Sequence, residues 1–218
     1  MSRPAPGPSV VRMTTASIAA PMLIEQLLPR YDAVRIEHRV VPGDVEAAYA
    51  AVMRADFMRA WRDSAGVRAL FAARSLGERA VAAASRRALV EPPVPESLRL
   101  EDMAERGEWV LLGEDPPREA AFGAIGRFWS GETAWEQIDA AEFAVFAAPG
   151  FAKLACNFSL RSYGAAQTLV SYECRTLATD DSARAGFLRY WRPLSPFIGV
   201  VLRAQLGVVA DEAVRAGG

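Results

Sequence analysis

Apolar and polar residues alternate near the start of the chain. One set of positions holds Val34, Ile36, His38 and Val40, and two arginines and a glutamate fill the positions between them. A period of two places successive side chains on opposite faces of a strand. The segment therefore predicts a strand with one buried face, and we expect the face that carries His38 to be the buried one.

The period changes to that of a helix after Pro42 and Gly43. Apolar residues then recur at spacings of three and four, as Val45, Ala48, Tyr49 and Val52. Asp44 precedes them and is a typical N-cap residue. We predict one helix here and a second helical stretch over about 57–85, with a short helical piece at 22–28 before the first strand.

From residue 98 to residue 177 the pattern is again mainly that of strands. A short helix between Asp139 and Pro149 interrupts it. The predicted strands cover residues 98–103, 109–112, 120–129, 151–161 and 167–177.

The last two predicted strands form a hairpin whose register follows from the pattern. One face then contains three facing pairs: Cys156 with Cys174, Phe158 with Tyr172, and Leu160 with Val170. The other face is mostly polar, as expected when a sheet is buried on one side. A slip of one residue would mix the two faces.

A final helix is predicted from Asp180 or Asp181, with Phe187, Leu188 and Trp191 on its buried side. We expect Pro193 to end or kink it, and Ser195-Pro196 to restart it as far as about residue 214. A strand, two helices, a run of strands and a final helix make an α+β order rather than a βαβ alternation.

Composition narrows the class of protein. The chain has 218 residues, is 51% hydrophobic, and has a net charge of −1, so no basic footprint for nucleic acid is visible. Two cysteines make no disulfide framework and fit a reducing cytoplasm. The best membrane candidate, residues 197–209, is shorter than the roughly 20 residues of a spanning helix. We expect residues 1–21 to be a disordered tail, with Met13 and Met22 as alternative starts, and residues 22–214 to be one domain.

The order of elements resembles the START-like superfamily, also called SRPBCC or Bet v 1-like. The segment 35–56 is similar to the usual opening of that superfamily. Further pieces resemble a group of uncharacterised bacterial members: Leu28-Pro29-Arg30-Tyr31-Asp32, Gly126-Arg127-Phe128-Trp129, Pro149-Gly150-Phe151-Ala152-Lys153 and Tyr190-Trp191-Arg192-Pro193.

This resemblance implies the helix-grip fold, in which a curved antiparallel sheet wraps around a long C-terminal helix. It also implies a deep cavity between the two, lined by apolar groups and a few polar ones. The superfamily includes lipid carriers, hormone receptors, aromatase/cyclases, oxygenase subunits and chaperone partners. The fold therefore does not fix the function.

The candidate site residues each have two interpretations. His38, the only histidine, is a general base facing the cavity or a buried structural histidine. Tyr172 is a cavity donor or a tyrosine at the rim. Arg127, on the same side as Trp129, binds an anionic or aromatic ligand or stacks on the outside.

Glu173 and Arg175 also have two interpretations. They clamp the polar head group of a ligand, or they pair with Arg161 or Asn157 across the strands. The residues expected to face a ligand are His38, Arg127, Trp129, Cys156, Phe158, Tyr172, Cys174 and Trp191.

Other kinds of site are excluded by their missing motifs. One histidine and two distant cysteines give no zinc spacing, and no glycine-rich nucleotide loop or nucleophile elbow is found. We therefore expect no metal and no cofactor.

The leading hypothesis is a cytoplasmic protein that binds a hydrophobic small molecule such as a lipid, isoprenoid or polyketide-like compound. The alternatives are a cyclase or dehydratase that uses His38 and Tyr172, and a protein-interaction module.

Overall fold

A six-stranded antiparallel sheet and a 37-residue C-terminal helix form the two main layers of the part of the chain that the structure describes. The structure is a computed structural model, and it describes residues 20–69, 72, 96–129 and 133–217. Its α+β architecture, with a curved sheet along a long final helix, confirms the helix-grip prediction.

The strands follow the order β1-β6-β5-β3-β2, with β4 paired to β3. They are β1 Ala33–Pro42, β2 Val110–Asp115, β3 Glu119–Arg127, β4 Ala134–Trp135, β5 Ala152–Ser162 and β6 Gln167–Ala178. The helices are α1 Leu23–Leu27, α2 Val45–Arg54, α3 Met58–Asp63, α4 Ala140–Val145 and α5 Asp181–Gly217.

The predicted hairpin register is confirmed in full. Cys156 pairs with Cys174, and the pairs Phe158–Tyr172 and Leu160–Val170 follow. These side chains lie on the face of the sheet that α5 covers, which we call the inner face. Two shorter helices, α2 and α3, also pack there, and the side chain of Asp44 caps α2 by accepting a hydrogen bond from the Ala47 amide at 2.8 Å.

The opposite face of the sheet, which we call the outer face, is covered over β3 and β5 by two short helices. Ile24 and Leu28 from the α1 region and Phe143 from α4 pack there against Ile125 and Ala155. The sheet is thus buried on both sides in its middle, which explains why β3 is buried at every position except Arg127.

The prediction for β1 was right about the strand and wrong about its faces. Arg35 pairs with Cys174 and Glu37 pairs with Tyr172, so both charged side chains share the inner face. The apolar face points outward, where Ile36 is 42% and Val40 is 37% exposed. Alternation gives the period of a strand, but it does not say which face a helix will cover.

Charged side chains are tolerated under α5 because the helix carries Gly199 at this point. A methyl group there would lie 2.5 Å from Arg35 and 2.7 Å from Glu37. The glycine therefore leaves room for the two side chains between helix and strand. Their charges are paired, and an arginine stem covers apolar surface well.

Two other expectations about the elements are corrected. Residues 98–103 form an irregular segment with a turn at 101–102 rather than a strand, and the two-residue β4 was not predicted. Of the predicted helical stretch 57–85, the structure shows α3 and a helical turn at 65–69, and most of the remainder lies outside the described residues.

The last helix is also continuous, although it contains Pro193 and Pro196. Both prolines are exposed, as are Arg189 and Arg192 one turn before them. Water can therefore reach the carbonyl groups that lose a hydrogen-bond donor, which makes proline tolerable within the helix.

By length and composition alone, α5 could cross a membrane. It contains an 18-residue window of mean hydropathy 1.5, of which 33% is buried. No apolar segment long enough to span a membrane was expected from the sequence, and by length and composition α5 corrects that expectation. In the structure α5 packs against the sheet on one side, where Phe187, Leu206 and Val209 are fully buried.

Candidate functional site

Aromatic rings form a connected series along the inner face, which we call the aromatic wall. It begins at Phe57, whose ring stacks on Phe158 with centroids 5.3 Å apart, and Phe158 stacks on Tyr172 at 4.3 Å. The remaining steps are Phe158–Phe122 at 5.9 Å, Phe122–Trp109 at 6.0 Å, Trp109–Trp135 at 5.7 Å and Trp135–Phe128 at 5.5 Å.

The middle of the wall is filled by its own side chains. Phe158 is completely buried and Tyr172 is 6% exposed. Stacked and tilted rings at these separations pack closely and favourably. Among the described residues, the part of the inner face around Phe158 is therefore solid core, where the resemblance implied a deep cavity.

The wall continues onto α5 at its other end. Phe128 makes edge contacts with Phe187 and Tyr190, both with centroids 5.9 Å away, and Phe187 lies 5.8 Å from Trp191. Trp191 was expected to face a ligand, and it lies at this end of the wall, half-buried.

An open cleft of about 490 Å³ lies where the wall meets the start of α5. Its lining residues are Trp129, Ser182, Gly186, Arg189 and Tyr190. Gly186 is required here, because a methyl group at this position would lie 2.6 Å from the indole nitrogen of Trp129. The cleft falls within the size range of small-molecule sites.

Tyr172 and the two cysteines form the polar part of the wall. The Cys156 and Cys174 sulfur atoms are 3.0 Å apart, and neither is in a disulfide. Burial raises the pKa of the Cys156 thiol and of the Tyr172 hydroxyl well above their ordinary values. Both groups are therefore neutral near pH 7, and neither is set up as a base.

A charged cluster lies beside the wall, under α5. Glu37 accepts hydrogen bonds from Arg35 Nε at 2.9 Å and from Arg203 Nη1 at 2.8 Å. Burial alone would raise the pKa of Glu37, but the hydrogen bonds and charges of the two arginines bring it below its ordinary value. Glu37 is thus a carboxylate shared by two guanidinium groups.

The structure does not bring His38 and Tyr172 together. His38 is exposed on the outer face, where its Nδ1 lies 2.8 Å from the hydroxyl oxygen of Ser171. Tyr172 lies on the inner face, so the sheet separates the two side chains. The expectation that His38 faces the interior is wrong, because its whole face of β1 points outward.

Arg127 and Trp129 are also separated. Arg127 is exposed, and its guanidinium group lies 4.9 Å from the centroid of the Phe151 ring. Trp129 follows the end of β3 and turns onto Gly186 of α5. The expectation that they share a side is wrong because strand alternation stops where β3 ends, at Arg127.

Glu119, a buried carboxylate on the outer face, was missed by the sequence analysis. Glu119 is completely buried and accepts hydrogen bonds from the amides of Leu23 and Ile24 at 2.6 and 3.1 Å, and from the Asn157 side chain. Its partners at the start of α1 lie 96 and 95 residues away, so no local pattern marks this contact.

Arg175 holds the other end of α1. It donates to the carbonyl oxygen of Leu28 at 3.1 Å, and its Nε donates to Glu173 at 2.6 Å. The expected partners of this pair, Arg161 and Asn157, are not the ones observed. Glu173 therefore pairs with Arg175, and Arg175 binds the end of α1.

Within the described residues, no group of three or more histidine, cysteine, aspartate or glutamate side chains could hold a metal ion.

Comparisons with known proteins give structural similarities alone. No family model matches the chain, and a search of the curated proteins found no match. A conserved protein from Geobacillus kaustophilus is similar over 84% of this chain and 97% of its own, with 11% identity and a TM-score of 0.40.

Two aromatase/cyclases are also similar in structure. The Zhui aromatase/cyclase from Streptomyces sp. R1128 matches 85% of this chain and 96% of its own, with 11% identity and a TM-score of 0.31. The di-domain aromatase/cyclase StfQ of the steffimycin pathway matches 86% of this chain and 54% of its own, with 12% identity and a TM-score of 0.34. These TM-scores are too low for any property of those proteins to be transferred to this chain.

Proposed function

We propose that this protein binds a hydrophobic small molecule, such as a lipid, an isoprenoid or a polyketide-like compound, at the α5 end of the aromatic wall. The supporting observation is the continuity between the wall and the open cleft. A ligand seated in the cleft between Trp129 and Tyr190 would extend the ring series that runs back through Phe128.

The cleft combines apolar and polar groups. Trp129 and Tyr190 offer ring faces, while Arg189 and Ser182 offer a charged donor and a hydroxyl. Arg189 is exposed, and the guanidinium group of an arginine suits a carboxylate or phosphate partner. We propose that the ligand is amphipathic, with an apolar or aromatic body and an anionic or oxygen-bearing end.

Apolar contact supplies enough free energy for such binding without catalytic groups. A ligand that removes about 300 Å² of apolar surface from water gains roughly 7 kcal/mol at about 25 cal/mol per Å². Loss of translational and rotational freedom offsets part of this gain. Since a dissociation constant of 1 μM needs about 8.2 kcal/mol, we expect dissociation constants weaker than micromolar.

Catalysis by His38 and Tyr172 has no support in this geometry, since the two side chains lie on opposite faces of the sheet. The alternative of a protein-interaction module has little support in the geometry either. Ile36 and Val40 are exposed on the outer face, but the polar His38 lies between them. Our proposal also places the protein in the cytoplasm, on the basis of its two free cysteines.

Titration with N-phenyl-1-naphthylamine, a fluorescent apolar probe, tests the proposal. We expect saturable binding to the wild-type protein and binding about fivefold weaker for Trp129→Ala, since one aromatic face is worth about 1 kcal/mol. The matched control is Tyr163→Ala, which removes an exposed ring from the β5–β6 turn.

Solvent extraction of the purified protein, followed by mass spectrometry, identifies any natural ligand. If no apolar compound co-purifies and the probe shows no saturation, the proposal is wrong. If Trp129→Ala and Tyr163→Ala weaken probe binding equally, the probe does not bind in the cleft beside Trp129.

A further inference from the structure

Cys156 and Cys174 face each other across two adjacent strands. They are direct partners in the antiparallel register of β5 and β6, and their sulfur atoms are 3.0 Å apart. Side chains of directly opposed residues in such a pair point the same way and lie close together. A disulfide needs the two sulfur atoms about 1 Å closer, at about 2.05 Å. The strands therefore already hold both thiols near bonding geometry.

The two thiols differ in exposure. Cys156 is 1% exposed, whereas Cys174 is partly exposed. Burial also raises the pKa of the Cys156 thiol. Cys174 is therefore the thiol that a reagent meets first, and Cys156 is the thiol held behind it.

We propose that Cys156 and Cys174 form a redox-active dithiol site that small disulfides oxidise reversibly to an intramolecular disulfide. The Cys174 thiolate attacks one sulfur of an oxidant such as glutathione disulfide, and one glutathione leaves as thiolate. Cys156 then loses its proton and attacks the Cys174 sulfur of the mixed disulfide, which releases the second glutathione. Two protein thiols are oxidised and one disulfide is reduced to two thiols, so the step balances.

This site is independent of ligand binding at the cleft. The dithiol belongs to β5 and β6 in the middle of the sheet, while the cleft is lined by α5 and by Trp129. Either proposal can therefore fail without the other.

Oxidation of the folded protein by glutathione disulfide, followed by intact-mass measurement, tests the proposal. We expect wild-type protein to lose two hydrogens per chain, to carry no glutathione, and to recover both thiols after dithiothreitol. Thiol titration after unfolding should fall from two per chain to none. The product should remain an intramolecular species on a non-reducing gel.

Two single variants separate the roles of the thiols. Cys156→Ser leaves the exposed thiol without its partner, so it should accumulate one glutathione adduct per chain. Cys174→Ser leaves the buried thiol alone, so it should stay unmodified under the same conditions.

The proposal is overturned if wild-type protein keeps both thiols while folded, if it carries two glutathione adducts, or if it forms linked dimers instead. These three outcomes are read on the wild-type chain, so the test does not depend on how well the variants fold.

Discussion

The two faces of the sheet are covered in different ways. On the inner face, α5 and the aromatic wall meet through close packing of apolar groups, and Phe158 and Phe187 are completely buried there. On the outer face, α1 is held at both ends by buried charged side chains, Glu119 and Arg175. Packing organises one face, and hydrogen bonding organises much of the other.

This difference decides how each face responds to change. An apolar core loses free energy in proportion to the volume removed, because neighbouring groups relax only partly into the space. A buried carboxylate that accepts several hydrogen bonds behaves differently, since its removal leaves every donor without a partner. Damage to the inner face should therefore be large and global, and damage to the outer face smaller and local to α1.

The largest effect should come from Phe158→Ala on the inner face. Phe158 has ring contacts with Phe57, Phe122 and Tyr172, so its removal opens a cavity in the centre of the wall. We expect the free energy of unfolding to fall by about 3–5 kcal/mol, measured by urea unfolding. Val145→Ala, at a residue 80% exposed, is the control and should change it by less than about 0.5 kcal/mol. A loss as small as that of the control would contradict the packed wall.

Glu119→Ala should have the next largest effect, on the outer face. The amides of Leu23 and Ile24 and the side chain of Asn157 lose their acceptor, which costs about 1–3 kcal/mol. Hydrogen exchange should become faster at the amides of α1 while the amides of β5 and β6 stay protected. The exposed Glu105→Ala serves as control. Uniform acceleration across the sheet would show that Glu119 supports the whole fold rather than α1.

The inner face could be predicted well from the sequence where two strands constrain each other. The β5–β6 register was correct because six apolar residues, three on each strand, had to share one face: Cys156, Phe158, Leu160, Val170, Tyr172 and Cys174. A slip of one residue would have mixed apolar and polar side chains on each face. The fold class followed in the same way, from the order of periodic segments.

The remaining features depend on contacts that no local pattern records. The faces of β1 were reversed because its charged side chains pair with each other and with Arg203 of α5, 166 residues from Glu37. Glu119 likewise contacts the start of α1 across 96 and 95 residues of the chain. The cleft was only partly anticipated: Trp129 was named as a candidate, but its position beside Gly186 follows from where β3 ends.

The charged cluster of the inner face provides a test by pH. The pKa of Glu37 is lower in the folded chain than its ordinary value of 4.5, so its ionised form stabilises the folded state. That contribution is complete above 4.5 and is lost as the pH falls through the lower, folded value. We expect Glu37→Gln to lower the free energy of unfolding at neutral pH by about 1 kcal/mol.

The difference between Glu37→Gln and wild type should shrink as the pH is lowered below 4.5 in a series of urea titrations. The exposed Glu108→Gln is the control and should give a small difference at every pH. A Glu37→Gln difference that persists at acidic pH would mean that the glutamine loses packing rather than charge.

The smallest effect on stability is expected for His38→Ala. This variant tests most directly whether the outer face of the sheet takes part in ligand binding. His38 is exposed on the outer face, and its Nδ1 lies 2.8 Å from the hydroxyl oxygen of Ser171. A surface hydrogen bond of this kind contributes little, so the free energy of unfolding should change by less than about 0.5 kcal/mol. Probe binding at the cleft should stay within twofold of wild type, whereas Trp129→Ala weakens it. A strong loss of binding in His38→Ala would mean that the ligand reaches the sheet from the outer side. The proposed binding site at the cleft on the inner face would then be wrong.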